Sequence, residues 1–309
     1  MSHVAFSIKA TAQRIGLSPH VIRVWERRYG AVTPTRTDTN RRTYTEEEVN
    51  RLALLKSATE AGHSIGQIAN LTDAQLQELA RDTTASKADV EPAGPTPASF
   101  VAAAIKAIQR LNGAALDGIL SEAAGEFGTQ GLLQKVIVPL TYRIGDLWHK
   151  GDVTAAQEHF ASSLIRSFLG NHARPYVMDS NAPLIVVGTP LGQFHELGAV
   201  IVASAASSLG WRVANLSASL PTADIAAAAR RGNARAVALS IVFPEDDPNL
   251  PGELESLRRI LPPAIAIIVG GRAAPAYSAT LAKIEAGICH DLEDFYRALG
   301  ELRTTGSRN

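Results

Sequence analysis

Hydrophobic positions change their period along this chain. In the first eighty residues they fall at helical spacing over short stretches. Ile8, Ala12 and Ile15 precede Gly16, and Val21, Ile22, Val24 and Trp25 precede Tyr29-Gly30. Ser18-Pro19 supplies an N-cap and a proline at the first helical position, opening a second helix that runs to about Arg28. Thr45 before Glu46-Glu47-Glu48 opens a third, with acids at the positive end of the helix dipole, through Val49, Leu52 and Leu55 to about Ala61-Gly62. Residues 81–98 lose all apolar period and carry three prolines among Thr, Ser, Ala and Gly, which predicts a linker. From Ser99 to about Tyr176 apolar residues recur at three and four, with breaks expected at Gly113, Gly128, Gly151 and Gly170. That pattern predicts a small helical bundle.

Beyond Pro183 the period changes again. Short apolar runs at 184–189, 211–216, 236–242 and 264–269, with a weaker one near Ile288, alternate with helical stretches at about 197–209, 222–231, 251–260, 273–284 and 291–303. Such alternation predicts a doubly wound parallel sheet. The expected architecture is therefore multidomain: an α-helical helix-turn-helix region at 1–80, a linker at 81–98, a helical bundle at 99–180 and an α/β Rossmann-like parallel sheet at 181–309.

Composition adds little until it is resolved along the chain. With 46% hydrophobic and 19% charged residues, the 309-residue chain is ordinary for a globular protein, and its net charge is zero. The zero conceals an asymmetry. Residues 1–44 hold eight Lys and Arg (Lys9, Arg14, Arg23, Arg27, Arg28, Arg36, Arg41, Arg42) against two acids, Glu26 and Asp38. A local basic excess of this kind is the footprint of a nucleic-acid-binding surface. Cys289 is the only cysteine, which excludes an intrachain disulfide and fits a reducing compartment. No apolar run approaches the ~18–20 residues of a membrane span. The N-terminus lacks the charged-then-apolar pattern of a secretion signal, so the expected location is cytoplasmic.

Two short helices joined through Gly16-Leu17-Ser18 form a helix-turn-helix, whose second helix enters the major groove. That helix carries His20, Arg23, Arg27 and Arg28, while Arg36, Arg41 and Arg42 follow in a Thr- and Asn-rich segment suited to phosphate contacts. Trp25 with Val21, Ile22 and Val24 reads as core. A basic surface on a protein-interaction domain is the plainer alternative. Arg28-Tyr29, Pro34 and the run Asn40-Arg41-Arg42-Thr43-Tyr44 resemble the winged helix-turn-helix of MerR-family regulators. The resemblance implies promoter double-stranded DNA as partner, distortion of a long spacer, and Tyr44 among the wing's DNA contacts. It also implies a dimer. The long antiparallel helix of many family members is short or absent here, so oligomerisation is expected in the C-terminal part.

A second candidate site follows the first predicted strand of the sheet. Imidazole is the commonest side-chain metal ligand, and His195 lies on the loop at the carboxyl end of that strand, where open α/β sheets bind ligands. Taken alone, such a histidine is more often structural. Its neighbours change the picture, because Gln193-x-His195-x-x-Gly198 resembles the D-x-H-x-x-G motif of cobalamin-binding domains. Ser240-Ile241-Val242 and Gly270-Gly271 then follow where that family has S-x-L and G-G. The resemblance implies that His195 replaces the cofactor's own base as lower cobalt ligand, and that Gly198, Ser240, Val242, Gly270 and Gly271 line a slot for the dimethylbenzimidazole tail. Gln193 departs from the family's acid, which polarises the imidazole through its second nitrogen. A neutral amide still accepts that bond but donates less electron density, implying weaker lower ligation or an altered cofactor preference.

The spacing of Trp148 and Glu158-His159 resembles the W-x9-E-H pattern of CarH- and LitR-like photoreceptors, a cobalamin branch of the MerR family. It implies a four-helix bundle capping the cobalamin site, with Trp148 against a 5′-deoxyadenosyl group, Glu158 and His159 nearby, and His149 or His159 as upper ligand after light. Without that resemblance Trp148 is bundle core and Glu158-His159 a solvated face. The whole reading is a light-responsive regulator, not an enzyme. It represses in the dark as a homo-oligomer, dimer or tetramer, with adenosylcobalamin as chromophore (methylcobalamin and hydroxocobalamin are the other forms considered). A light-independent MerR-type regulator of another cobalamin form or ligand is the first alternative, and a corrinoid methyl-carrier protein is the second.

Overall fold

A computed structural model describes residues 5–17, 19–37, 40–61, 63–81, 95–173 and 181–305. The chain divides into two compact units, Met1–Val177 and Met178–Asn309. The predicted N-cap Ser18, the helix end at Gly62, most of the predicted linker and the bundle end at Tyr176 lie outside the described residues.

The first unit opens with a three-stranded antiparallel sheet, β1 (Phe6–Ser7), β2 (Thr35–Arg36) and β3 (Arg42–Tyr44), in the order β1-β3-β2. Around it pack α1 (Ile8–Ile15), α2 (Pro19–Tyr29), α3 (Glu46–Glu60), α4 (Ile65–Ile68) and α5 (Asp73–Arg81). Local chemistry sets the ends. Ser7 accepts from the Ala10 amide to start α1, and Thr45 and Glu48 form a reciprocal capping box at α3. Val21, Ile22, Trp25, Tyr44, Leu52 and Leu55 are fully buried and form one core, so the Trp25 stripe is structural as expected. Arg51 ties this core shut from its edge, donating to the carbonyls of Ala31, Ala69 and Leu71, which leaves none of the three unsatisfied.

The bundle has four helices: α6 (Pro97–Gln109), α7 (Gly113–Leu132), α8 (Val138–Lys150) and α9 (Ala155–Ala173). Gly128 breaks α7 as expected, with φ 66° and ψ −177°. Between α7 and α8 runs a π turn, Leu133–Ile137. Pro139 has no N–H to give the Lys135 carbonyl, so the helix widens there instead of closing a regular turn. Gly151 ends α8 in the left-handed conformation. Gly113 marks the expected break between α6 and α7, beginning α7 behind its N-cap Asn112. One expected break is corrected: Gly170 lies inside α9, where neighbouring helix contacts outweigh its low propensity. Helix α6 begins at Pro97, within the stretch 81–98 expected to be linker, because Thr96 caps the Ser99 amide and Pro97 suits the first turn.

The helix-turn-helix region packs on the bundle through α7, and α2 meets α7 closely at Gly125. Trp25 Nε1 donates to the Gly125 carbonyl at 2.7 Å, and a Cβ built on Gly125 would fall 2.5 Å from Val24 Cγ1. Only a residue without a side chain lets α2 and α7 approach this closely.

The second unit is a five-stranded parallel sheet in the order β5-β4-β6-β7-β8: β4 (Leu184–Gly188), β5 (Arg212–Asn215), β6 (Ala236–Ser240), β7 (Ala266–Gly270) and β8 (Gly287–Cys289). The weak run near Ile288 is thus a strand. Helices α10 (Leu197–Ser208), α11 (Thr222–Arg231), α12 (Leu250–Ile260), α13 (Ser278–Lys283) and α14 (Leu292–Thr305) follow the strands in alternation. The stretch predicted as one helix at 273–284 is a 3-10 turn, Ala274–Tyr277, leading into α13. Pro275 occupies its first turn. All five residues of β4 and of β6 are buried, as expected of strands covered on both faces. Among the described residues no helix is long and apolar enough to cross a membrane.

Gly125→Ala tests the α2–α7 contact. The added methyl forces Val24 or the helix axis aside, so the first unit should lose about 1–3 kcal/mol by denaturant unfolding. An unchanged midpoint would mean that the two helices do not meet there in solution.

Candidate functional site

On the DNA-reading side, Arg23 and Arg27 of α2 stand exposed on one face, and Arg36 and Arg41 are exposed on the wing, with Arg36 donating to Asn40 Oδ1 at 2.8 Å. The side chain of His20 lies outside the described residues. Two other predicted contacts are engaged elsewhere. Arg28 pairs with Glu122 of α7 at 2.6 Å, and Arg42 pairs with Glu26 at 2.6 Å, the latter mostly shielded from water. Tyr44 is corrected outright: it is fully buried, and its hydroxyl reaches no hydrogen-bond partner among the described residues, so it supports the wing from inside and cannot contact DNA. Its aromatic ring was needed to fill the core between β3 and α2.

Sequence reasoning missed the acids opposite α2. Glu122 and Glu126 lie four apart on α7, and Glu126 is buried, accepting a hydrogen bond from the Tyr29 hydroxyl. Burial and this carboxylate push the Tyr29 phenol well above its ordinary value. Nothing in the sequence marks such a pair apart from a solvated helix face; only the tertiary contact does.

The bundle residues singled out by sequence cluster at the α8–α9 connection. Trp148 and His149 stack at a tilt, ring centroids 4.9 Å apart, and Trp148 keeps 43% of its surface exposed at the end of α8. At the start of α9, His159 Nδ1 lies 2.9 Å from Glu158 Oε2, and Glu158 Oε1 accepts from Ser162 Oγ at 2.7 Å. Glu158 is thus a bridge between two polar neighbours, and the His159 ring projects into solvent.

In the sheet unit, β4 is flanked by β5 and β6, so the loops after β4 and β6 leave in opposite directions. This is the switch point where such sheets bind ligands. His195 sits there, exposed on the loop between β4 and α10, with no hydrogen bond among the described residues. The Phe243 ring stands nearly perpendicular to its imidazole, centroids 6.0 Å apart. Phe194, Phe243 and Leu191 are also exposed, at 74%, 56% and 46%, which is unusual for large apolar side chains gathered on one loop pair. A Cβ on Gly198 would overlap Ser240 Oγ, and one on Gly271 would overlap the Ile241 carbonyl, so these glycines let three loops close on one another. Ser240 pairs with Gly270 in register.

Gln193 is the second correction. It is buried, and its amide is engaged by the loop after β6. Its Oε1 accepts from the Val242 and Phe243 amides at 3.0 Å each, and its Nε2 donates to the Pro244 carbonyl at 3.1 Å. Both Oε1 lone pairs are used, so it does not accept from the imidazole as expected.

Comparison with known proteins agrees with this division. Residues 6–75 match the model of the MerR HTH family regulatory protein, and residues 101–171 and 183–299 each match a B12 binding domain. The chain thus joins a region similar to MerR HTH regulators to two regions similar to B12 binding domains. It is 29% identical over 302 residues to the HTH-type transcriptional repressor CarH of Myxococcus xanthus, covering 97% of this chain and 100% of that protein. It is 23% identical to the repressor CarA of the same organism, covering 97% and 98%. Among solved structures, the monomethylamine corrinoid protein of Methanosarcina barkeri shares 16% identity at a TM-score of 0.48, covering 64% of this chain and 95% of that one.

The residues present suit a corrinoid. Among the described residues no group of three or more His, Cys, Asp or Glu side chains could hold a bare metal ion. A lone imidazole suits a cobalt that brings its own equatorial ring, and the exposed Phe194, Phe243 and Leu191 suit a broad apolar ligand face.

Two expected outcomes follow. Burial, reinforced by the Glu26 charge, pushes the Tyr44 phenol up from 10.0 to about 12. The folded state favours the neutral phenol, so stability is intact below pH 10 and is lost as pH rises from about 10 to about 12, on the order of 2 kcal/mol at the end. Tyr44→Phe should abolish this alkaline loss in thermal melts across pH without lowering stability at pH 7. For the DNA face, Arg27→Ala should weaken binding about tenfold or more. Glu122→Gln frees Arg28 and should steepen the salt dependence of DNA binding by about one phosphate contact. A slope unchanged from wild type would mean that Arg28 already reaches the phosphates.

Proposed function

We propose that this chain is a light-responsive transcriptional repressor with adenosylcobalamin as chromophore. The observation that carries the reading is His195. It is an exposed imidazole without a hydrogen-bond partner among the described residues, set with exposed Phe194, Phe243 and Leu191 at the sheet's switch point, in a chain that also carries a MerR helix-turn-helix. The cofactor, when bound, supplies a cobalt–carbon bond that green or blue light breaks. His195 would be the side chain to hold the cobalt, and Gly198, Ser240, Val242, Gly270 and Gly271 would leave room for the cofactor's tail. Trp148 would shield the adenosyl group and Glu158 would orient His159. His149 or His159 would be the imidazole available to the metal after light.

DNA recognition falls to Arg23 and Arg27 on α2, with Arg36 and Arg41 on the wing. In the dark a homo-oligomer, dimer or tetramer, binds promoter DNA; after light it dissociates and repression lifts. Such a switch works only through the difference in affinity of the two cofactor states for the two assemblies. A light-independent regulator of another cobalamin form is the second reading, favoured by the engagement of Gln193 away from His195. A corrinoid methyl carrier has no use for the helix-turn-helix at residues 6–75.

The deciding experiment reconstitutes the full chain with adenosylcobalamin in darkness. Absorption, sizing chromatography and binding to a DNA fragment selected in the dark are measured before and after green light. The expected result is a bound alkylcobalamin spectrum that converts irreversibly to a bis-imidazole one, with loss of mass and of DNA binding. His195→Ala should reduce cofactor retention, and His149→Ala or His159→Ala should remove only the final spectrum. A protein that takes up the cofactor but keeps its mass and DNA binding in light is a light-independent regulator. One that takes up no cobalamin overturns both readings.

A further inference from the structure

We propose that Gln193 is a brace rather than a polarising partner, and that His195 is positioned by the Phe243 ring that this brace holds. The inference rests on the cobalamin reading of the site, but its foundation is the geometry of the loops themselves. Gln193 belongs to the loop after β4, and all its amide contacts are to the loop after β6. Its backbone is tied in as well. Its carbonyl accepts from Thr189 Oγ1, whose oxygen accepts from the Ser219 amide at 2.8 Å on the loop after β5, and Ser219 Oγ in turn accepts from the Gly192 amide at 3.2 Å. Three loops are therefore fastened at one buried residue.

The chemistry of the brace demands an amide. Two backbone N–H groups meet one end of the side chain and a backbone carbonyl meets the other. Only a group with an acceptor and a donor on one carbon satisfies both, which also fixes which amide atom is oxygen. A carboxylate would satisfy the Val242 and Phe243 amides but turn a lone pair toward the Pro244 carbonyl. Aspartate would also be one methylene too short to span both loops. The departure of Gln193 from the family's acid is thus matched by the loop it contacts.

The consequence falls on His195. Its second nitrogen has no acceptor among the described residues, so its orientation comes from packing perpendicular to the Phe243 ring, at 6.0 Å between centroids. Phe243 is in place because its own amide is held by Gln193 Oε1. Gln193 and Phe243 are positioning residues, acting on the cobalt only through the imidazole.

The test has two arms. In cofactor-free protein, hydrogen exchange at the Val242 and Phe243 amides is measured for wild type and Gln193→Ala. Protection in wild type that falls about tenfold or more in the variant is expected; equal exchange rates overturn the brace. In protein loaded with hydroxocobalamin, the fraction of cobalt bound by His195 is read from the optical spectrum, with His195→Ala as the ligand-free reference. Gln193→Asp should lower that fraction about threefold or more, the factor that one net hydrogen bond sets. A rise in that fraction, as a polarising acid would produce, overturns the proposal. Phe243→Ala keeps every bond from Gln193, since all go to backbone, and so avoids a folding defect. It should lower the fraction too, and an unchanged fraction overturns the role given to the ring. Failure of wild type to take up hydroxocobalamin defeats the cobalamin reading instead, and the exchange arm then decides the brace alone.

Discussion

The parallel pairing of β4 with both β5 and β6 is the constraint on which the sheet unit depends. A strand in that position is buried on both faces, so its side chains are committed to packing, and none of Leu184 to Gly188 is available for chemistry. Polar function is displaced to the carboxyl end, where the loops after β4 and β6 diverge and backbone groups must find partners outside the ladder. Gln193 supplies partners to two amides and a carbonyl of one loop from its place on another. The same diverging loops leave His195 and three large apolar side chains in solvent. The burial of the strands and the exposure of the site have one cause.

A second constraint governs the first unit. Val24 and Trp25 lie on the helix expected to read DNA, yet they also pack on Gly125 of α7. The two contacts along this seam differ in strength. Arg28–Glu122 is half exposed, and an exposed ion pair contributes about 0–1 kcal/mol, so a phosphate could replace Glu122 at little cost. The buried indole bond to the Gly125 carbonyl and the close contact of Val24 resist separation far more, since breaking them strands a buried donor. Exchange of partners at Arg28 is therefore the easy step, and parting of α2 from α7 the hard one.

Much of this was legible in the sequence because periodicity reports burial directly. The shift from helical spacing to short apolar runs marked the two architectures, and even the weak run at Ile288 forms β8. Gly198, Ser240 and Gly270 meet because Ser240 and Gly270 end adjacent strands and Gly198 opens the helix after β4, all at the carboxyl edge that alternation identifies. What escaped was decided by contacts between distant segments. Tyr44 sits in a basic run that reads as surface, but its alternate position in β3 turns it into the core. Gln193 was read against its neighbour two residues on, whereas its partners lie about fifty residues away. Gly170 had the composition of a break, but α9 continues through it because its neighbours in the bundle hold the helix.

The departure at Gln193 shows how a ligand's environment can be rebuilt without moving the ligand. An acid beside a metal-bound histidine does two things: it orients the ring and it enriches the nitrogen. Orientation can be supplied by shape alone, and on our proposal the Phe243 ring at 6.0 Å does so here. Electron enrichment has no such substitute, because a hydrocarbon ring offers the imidazole N–H no acceptor comparable to a carboxylate. On the proposed reading, a site built on Phe243 and Gln193 would keep the direction of the His195 imidazole and give up part of its strength as a ligand. If the chain is the switch we propose, a less tightly held His195 would make a change of partners at the metal less costly, and the loop geometry would set that balance.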